Sequence, residues 1–141
     1  MWLTDANCIA TNYPGFDNDG DAGDGAVTWQ HALDFVAGIN DGTYSLCNGV
    51  HPYNDWRLPN RFELESLLHL GYYNPAVPNT AGTGQWTNND PFTNVQSHDY
   101  WSSTTSADFT GHALVVDMGY GYVLYGGKTY GYYVWPVRGG Q

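Results

Sequence analysis

Positive charge is scarce in this chain: Arg57, Arg61, Lys128 and Arg138 stand against 14 acidic residues, for a formal net charge of −10. A field of that sign repels phosphate and sulfate polymers, so nucleic acid is not an expected partner. Long apolar runs are also missing. No stretch approaches the roughly 20 apolar residues that span a bilayer. Met1 is followed by Trp-Leu-Thr-Asp and not by a basic and then apolar leader. Direct membrane insertion is therefore not expected, and an export signal or anchor would lie outside these residues. Catalytic signatures are sparse as well. His31, His51, His69, His98 and His112 are scattered without metal-ligand spacing, and there is no nucleophile elbow or phosphate loop. His98 and Asp99 are adjacent, so on a strand they face opposite ways. The expectation is a protein that is not an enzyme.

Cysteine is limited to Cys8 and Cys47. Neither has the Cys/His neighbours of a zinc site. They either close one bridge over a loop of about 38 residues, contributing ~3–4 kcal/mol in the chain-entropy picture, or remain two buried thiols. The bridge is the expected state, and it implies an oxidising compartment. What the chain does have is 42% apolar and 16% aromatic residues in 141 positions, enough for one core, with much Gly, Asn, Thr, Ser and Tyr. One domain without a linker is expected over residues 1–141.

Residues 17–25, rich in Asp and Gly, read as a loop. Thr28 reads as the N-cap of a helix to about Asn40, with Ala32, Leu33, Val36 and Ile39 on one face. Asn60 and Glu63 have the spacing of a capping box for a second helix, whose buried stripe would be Leu64, Leu67, Leu68 and Leu70. Residues 72–99 carry three prolines and read as a long irregular connection. Short β-type runs follow at 100–104, 113–118, 122–125 and 133–138. Two helices followed by a small antiparallel sheet make an α+β domain. Arg57 reads as a structural cation, pairing with Asp55 or with backbone carbonyls at the turn into the second helix.

A set of motifs then carries a resemblance. Met1-Trp2-Leu3-Thr4-Asp5-Ala6-Asn7-Cys8, Thr28-Trp29-Gln30-His31-Ala32, Asp55-Trp56-Arg57-Leu58-Pro59-Asn60 with Glu63-Leu64, Tyr100-Trp101-Ser102-Ser103-Thr104-Thr105, and Val134-Trp135-Pro136-Val137-Arg138-Gly139-Gly140 follow one another in this order. The series resembles the C-terminal domain family of the Legionella collagen-like adhesin over nearly the whole chain. The resemblance implies a C-type-lectin-like fold, with two helices packed on a small antiparallel sheet and long irregular loops. It also implies a non-catalytic adhesive role in a secreted or cell-surface protein of a bacterium or phage, and a domain cut from a longer exported chain. The sulfated-glycan ligand associated with that adhesin does not carry over to a chain with four basic residues. The formylglycine-generating enzymes that share this fold use cysteine or copper chemistry, whereas Cys8 and Cys47 flank a helix.

Domains of this fold also serve as the variable proteins of diversity-generating retroelements. Mutagenesis of Asn codons there yields Tyr, Asp, Ser, Thr, His and Gly, the alphabet of residues 106–132. On this reading the ligand-binding residues are Asp108, Phe109, His112, Asp117, Tyr120, Tyr122, Tyr125, Tyr130 and Tyr132. Six of the twelve tyrosines lie between residues 120 and 133, and tyrosine gives large contact area at low entropic cost. The expected partner is a protein or glycan on another cell or surface. Trp56, Trp101 and Trp135 are expected in the core, and Tyr120, Tyr122, Tyr125, Tyr130 and Tyr132 at the surface. The alternative is an assembly module in which the tyrosines join protomers of a homo-oligomer. Calcium is the one cofactor the sequence raises: Asp17, Asp19 and Asp21 alternate around Gly20, although Thr28 stands where an EF-hand has its bidentate Glu. Otherwise the run is a solvated acidic loop.

Overall fold

The computed structural model describes residues 1–49 and 52–139; His51, and Gly140 of the closing motif, fall outside them. The chain opens with a short helix α1 (Cys8–Asn12), followed by the acidic loop and helix α2 (Trp29–Asn40). Thr28 caps α2 as its sequence predicts, its hydroxyl accepting from the His31 amide at 3.4 Å. Ala32, Phe35, Val36 and Ile39 are buried along α2. Gly38 is required in the middle of this helix because the Tyr44 ring lies 2.3 Å from where a Cβ would stand. That ring stacks on Phe35 with centroids 5.0 Å apart.

A 3-10 turn (Ser45–Cys47) brings Cys47 to Cys8, and the two are disulfide-bonded with Cα atoms 5.9 Å apart. The bridge ties α1 to the segment that follows α2. Strand β1 (Trp56–Arg57) then leads into helix α3 (Arg61–Glu65). Both halves of the capping box are present: the Glu63 amide donates to the Asn60 side chain and the Asn60 amide to the Glu63 carboxylate. The helix stops sooner than its leucines suggest. Leu64 is buried and Leu67 and Leu68 are half-buried, but Leu70 is 77% exposed. Past Glu65 the four-residue spacing no longer defines a helix face.

Strands β2 (Asp99–Thr105), β3 (His112–Asp117) and β4 (Val123–Gly127) form an antiparallel sheet in the order β2-β3-β4. The last run, expected as a strand over 133–138, is a strand only as β5 (Val137–Arg138), paired with β1. Its first half runs beside β2 on the edge away from β3: the Trp101 amide donates to the Tyr133 carbonyl at 2.9 Å and the Tyr133 amide to Asp99 at 3.0 Å. The two chain ends meet at β5. Trp2 bridges Val137, and the Leu3 amide donates to Pro136 at 3.0 Å.

Residues 72–98 contain no strand or helix, as expected, and are held by isolated bridges such as Pro78 to Gln85. The core gathers Trp56, Trp101 and Trp135, all buried, together with aliphatics of α2, α3 and β3. Each of these indoles also places its N–H on an acceptor: Trp101 on the Val27 carbonyl at 2.7 Å, Trp135 on Leu3 at 2.9 Å and Trp56 on the Asn48 side chain at 2.7 Å. The tryptophans therefore both fill the core and tie distant segments together without an unpaired donor.

Candidate ligand-binding surface

Strand β4 forms one edge of the three-stranded sheet, and most of the sequence-predicted ligand residues cluster around it. Tyr120, Tyr122, Tyr125 and Tyr130 are each 60–69% exposed. They divide into two groups. Tyr73, Tyr120 and Tyr122 form a stacked row, with centroid separations of 6.4 and 6.2 Å and interplanar angles of 12° and 22°. Exposed Leu70 lies beside this row: its Cδ2 is 2.6 Å from where a Cβ on Gly121 would stand. Leu70 and Tyr73 are members that residue alphabet alone did not identify; their only signal was an apolar side chain just past a helix that had already ended.

The second group surrounds a cavity of about 310 Å³ lined by Ser106, Asp108, Phe109, His112 and Tyr125. Phe109 is 68% exposed and meets the His112 ring edge-on at 5.9 Å. The turn holding them is closed by the Phe109 amide on the Ser106 hydroxyl and the His112 amide on the Phe109 carbonyl. His112 Nδ1 is buried and has no hydrogen-bond partner among the described residues. An unpaired buried ring nitrogen is a cost that a hydrogen-bonding ligand group can remove.

Two predicted members stand elsewhere. Tyr132 is half-buried, not exposed: its ring meets Trp101 edge-on at 4.8 Å and covers Gly126, where a Cβ would lie 2.7 Å from it. The glycine makes room for the tyrosine, so Tyr132 belongs to the packing beneath the surface. Asp117 is half-buried and closes the β3–β4 connection by accepting from the Gly119 amide at 2.7 Å. It also stands directly opposite Asp99 in the ladder. Burial pushes the Asp99 carboxyl above the ordinary aspartate range and the Asp117 charge pushes it further, with His98 opposing.

The acidic loop is organised by the backbone. Asp17 is buried, and its carboxylate accepts from the amides of Gly25 at 2.8 Å, Gly23 at 3.0 Å and Asp19 at 3.3 Å. Asp19 turns toward the start of α2, accepting from the Thr28 amide at 3.1 Å and facing His31 Nδ1. Burial raises its carboxyl, but the Thr28 amide and His31 outweigh this and hold it below the ordinary range. Asp17, Asp19 and Asp21 do not come together as a cage, and the described residues contain no group of three or more His, Cys, Asp or Glu side chains able to hold a metal ion.

The cations are engaged within the domain. Arg57 forms a two-pronged pair with Glu63 at 2.7 and 2.8 Å, not with Asp55, and donates to the Gly139 carbonyl. Asp55 is taken by Arg138, whose guanidinium lies 3.6 Å from the Tyr53 ring centroid. Lys128 donates to Thr105 and sits 4.0 Å from the Trp29 ring centroid. Arg61 pairs with Glu65 at 3.6 Å.

None of the curated proteins matches this chain. A family described as the Lcl C-terminal domain matches residues 1–138, from the first tryptophan motif through β5. No helix among the described residues is long and apolar enough to cross a membrane. With the match running from the first motif into the last and across both small sheets, the chain belongs to the Lcl C-terminal domain family, a family of adhesin-associated domains of bacterial surface proteins.

Proposed function

We propose that this is a non-catalytic ligand-binding domain of C-type-lectin-like architecture. It recognises a protein or glycan on another surface through the aromatic belt around β4. The observation that carries the reading is the separation of aromatic roles: the motif tryptophans are buried, while Tyr120, Tyr122, Tyr125 and Tyr130 project from a sheet edge. Tyrosines held on a rigid scaffold bind with little loss of side-chain entropy, and aromatic residues are frequent binding hot spots. A non-catalytic role is supported by the dispersal of the described histidines. His31 faces Asp19, His69 accepts from the Gly71 amide, His98 stacks on Tyr133 and His112 packs on Phe109. The Tyr, Asp, His and Gly alphabet of residues 106–132 supports diversification by a retroelement; a near-copy of the coding segment beside the gene, differing at adenines, is the expected genomic companion.

The binding test compares the labelled domain with its Tyr122→Ser/Tyr125→Ser form on a glycan array and on immobilised cell-surface proteins. Loss of a saturable signal, with the melting temperature retained, supports the reading. A signal unchanged by both substitutions overturns it. A concentration-dependent oligomer that the same substitutions dissolve would instead assign the tyrosines to assembly.

A further inference from the structure

Strand β4 has β3 on one side and, among the described residues, no strand on the other. The β3–β4 register is unbroken from His112↔Gly127 to Val116↔Val123. Hydrogen-bonded and non-hydrogen-bonded pairs must therefore alternate along it. Two bonds set the phase: the Asp117 amide donates to Tyr122 at 2.8 Å, and the Lys128 amide to Gly111 at 2.9 Å. Even-numbered residues of β4 therefore turn their amides and carbonyls toward β3, and Val123, Tyr125 and Gly127 turn theirs outward. The Gly127 carbonyl is consistent with this phase, since it accepts from the Tyr130 amide of the following turn at 2.9 Å. The outward N–H and C=O groups of Val123 and Tyr125 have no partner among the described residues.

Natural edge strands are usually blunted by Lys, Pro, a bulge or an inward charge. Val123-Leu124-Tyr125-Gly126-Gly127 has none of these. The edge is instead flanked by exposed Tyr122, Tyr125 and Tyr130, and Tyr125 is also a wall of the 310 Å³ cavity with Phe109 and His112.

We propose that the β4 edge is a strand-addition site: it takes an extended polypeptide segment of the partner as a fourth strand, with one alternate side chain placed against the Phe109–His112–Tyr125 cavity. An extended backbone is the ligand whose donors and acceptors repeat with the spacing of Val123 and Tyr125. Charge complementarity sets its side chains. The domain carries −10, and its four cations are engaged at Glu63, Glu65, Asp55 and Thr105, so a neutral or basic segment is favoured over an acidic one. The inference rests on the binding function proposed above and narrows its ligand to polypeptide.

The test uses the whole domain and a capped heptapeptide, Lys-Val-Thr-Val-Thr-Val-Lys, followed by amide resonances. Millimolar peptide is expected to shift the Val123, Tyr125 and Gly127 amides saturably and to slow their exchange, leaving Leu124 and Gly126 nearly unmoved. Val123→Pro removes an outward amide that the β3 ladder does not use and keeps every tyrosine; it should weaken the peptide roughly fivefold to tenfold, the loss of about one hydrogen bond. Should that variant not fold, the alternation of shifts in the unmodified domain decides alone. Absent shifts, shifts without alternation, or equal binding by a folded Val123→Pro form overturn strand addition. So do alternating shifts that appear on concentrating the domain without peptide, which would make a second copy the occupant. Tyrosine-dependent glycan-array binding that survives those outcomes would leave the binding function standing and this inference refuted.

Discussion

Tyr100 and Tyr122 are the same residue in the same small sheet, with opposite fates. Tyr100 is fully buried on β2, its hydroxyl accepts from the Gln96 amide at 2.8 Å, and burial raises its phenol well above the ordinary tyrosine range. Tyr122 is 61% exposed just before the edge strand and stacks on Tyr120. The comparison extends to regions: the β2 side is filled by Trp101, Trp135 and Tyr100, while the β4 edge has only Tyr132 tucked beneath it. Aromatic content alone therefore does not mark a binding surface. What marks it is exposed aromatic rings gathered at a sheet edge, where Tyr120, Tyr122, Tyr125 and Tyr130 stay at least 60% exposed.

Opening the β2 side should destabilise the domain most. Trp101→Ala removes a fully buried indole and its hydrogen bond to the Val27 carbonyl, so a loss of about 3–5 kcal/mol is expected in urea unfolding. A loss below 1 kcal/mol would mean that this side is no more a core than the edge is.

Next is the covalent tie. Replacing Cys8 and Cys47 by Ala releases a 39-residue separation and should cost roughly 3 kcal/mol, seen as a lowered denaturation midpoint, while the β4 amide spectrum keeps its shifts. A collapse of the β4 resonances in the folded protein would show that the edge depends on the far side of the molecule.

A smaller effect is expected at the turn into α3. Glu63→Gln leaves a capping side chain but loses the charge pair with Arg57, for about 1–2 kcal/mol at neutral pH. The Arg57 guanidinium and, against it, burial set the Glu63 carboxyl, with a net shift below the ordinary glutamate range. A carboxyl lowered by folding contributes stability that is present above its unfolded pKa and lost as pH falls through its folded one. The gap between the two proteins should therefore close on acidification below the usual glutamate range; a gap independent of pH would sink the ion-pair explanation.

The smallest stability change belongs to the surface. Tyr120→Ser with Tyr122→Ser should move unfolding by no more than about 0.5 kcal/mol, because the two rings mainly touch each other and Tyr73. A change of several kcal/mol would return these tyrosines to the fold and erase the contrast with Tyr100.

Local chemistry made a good part of this legible. Caps and three-residue spacings act within one turn, so Thr28 and the Asn60–Glu63 box announced α2 and α3 from sequence. Two cysteines admit one intramolecular pairing, and bulky tryptophans beside helix starts and strand centres indicated the core. The alternation of tyrosine with glycine placed Tyr120, Tyr122, Tyr125 and Tyr130 at the surface. Tertiary structure decided what depends on partners far along the chain. Tyr132 packs inward because Gly126 and Trp101 leave room for its ring, and Arg57 chose Glu63 because the capping box holds that carboxylate still. Asp17 accepts from three loop amides, a set of partners that only the folded loop brings to it. The strand expected over 133–138 dissolved into bridges to β2, β1 and Trp2, since a segment paired residue by residue with different partners has no period to read. The open face of β4 belongs to the same class. Periodicity can say that 122–125 is extended, but only the assembled sheet shows that no strand of the described residues covers its outer amides.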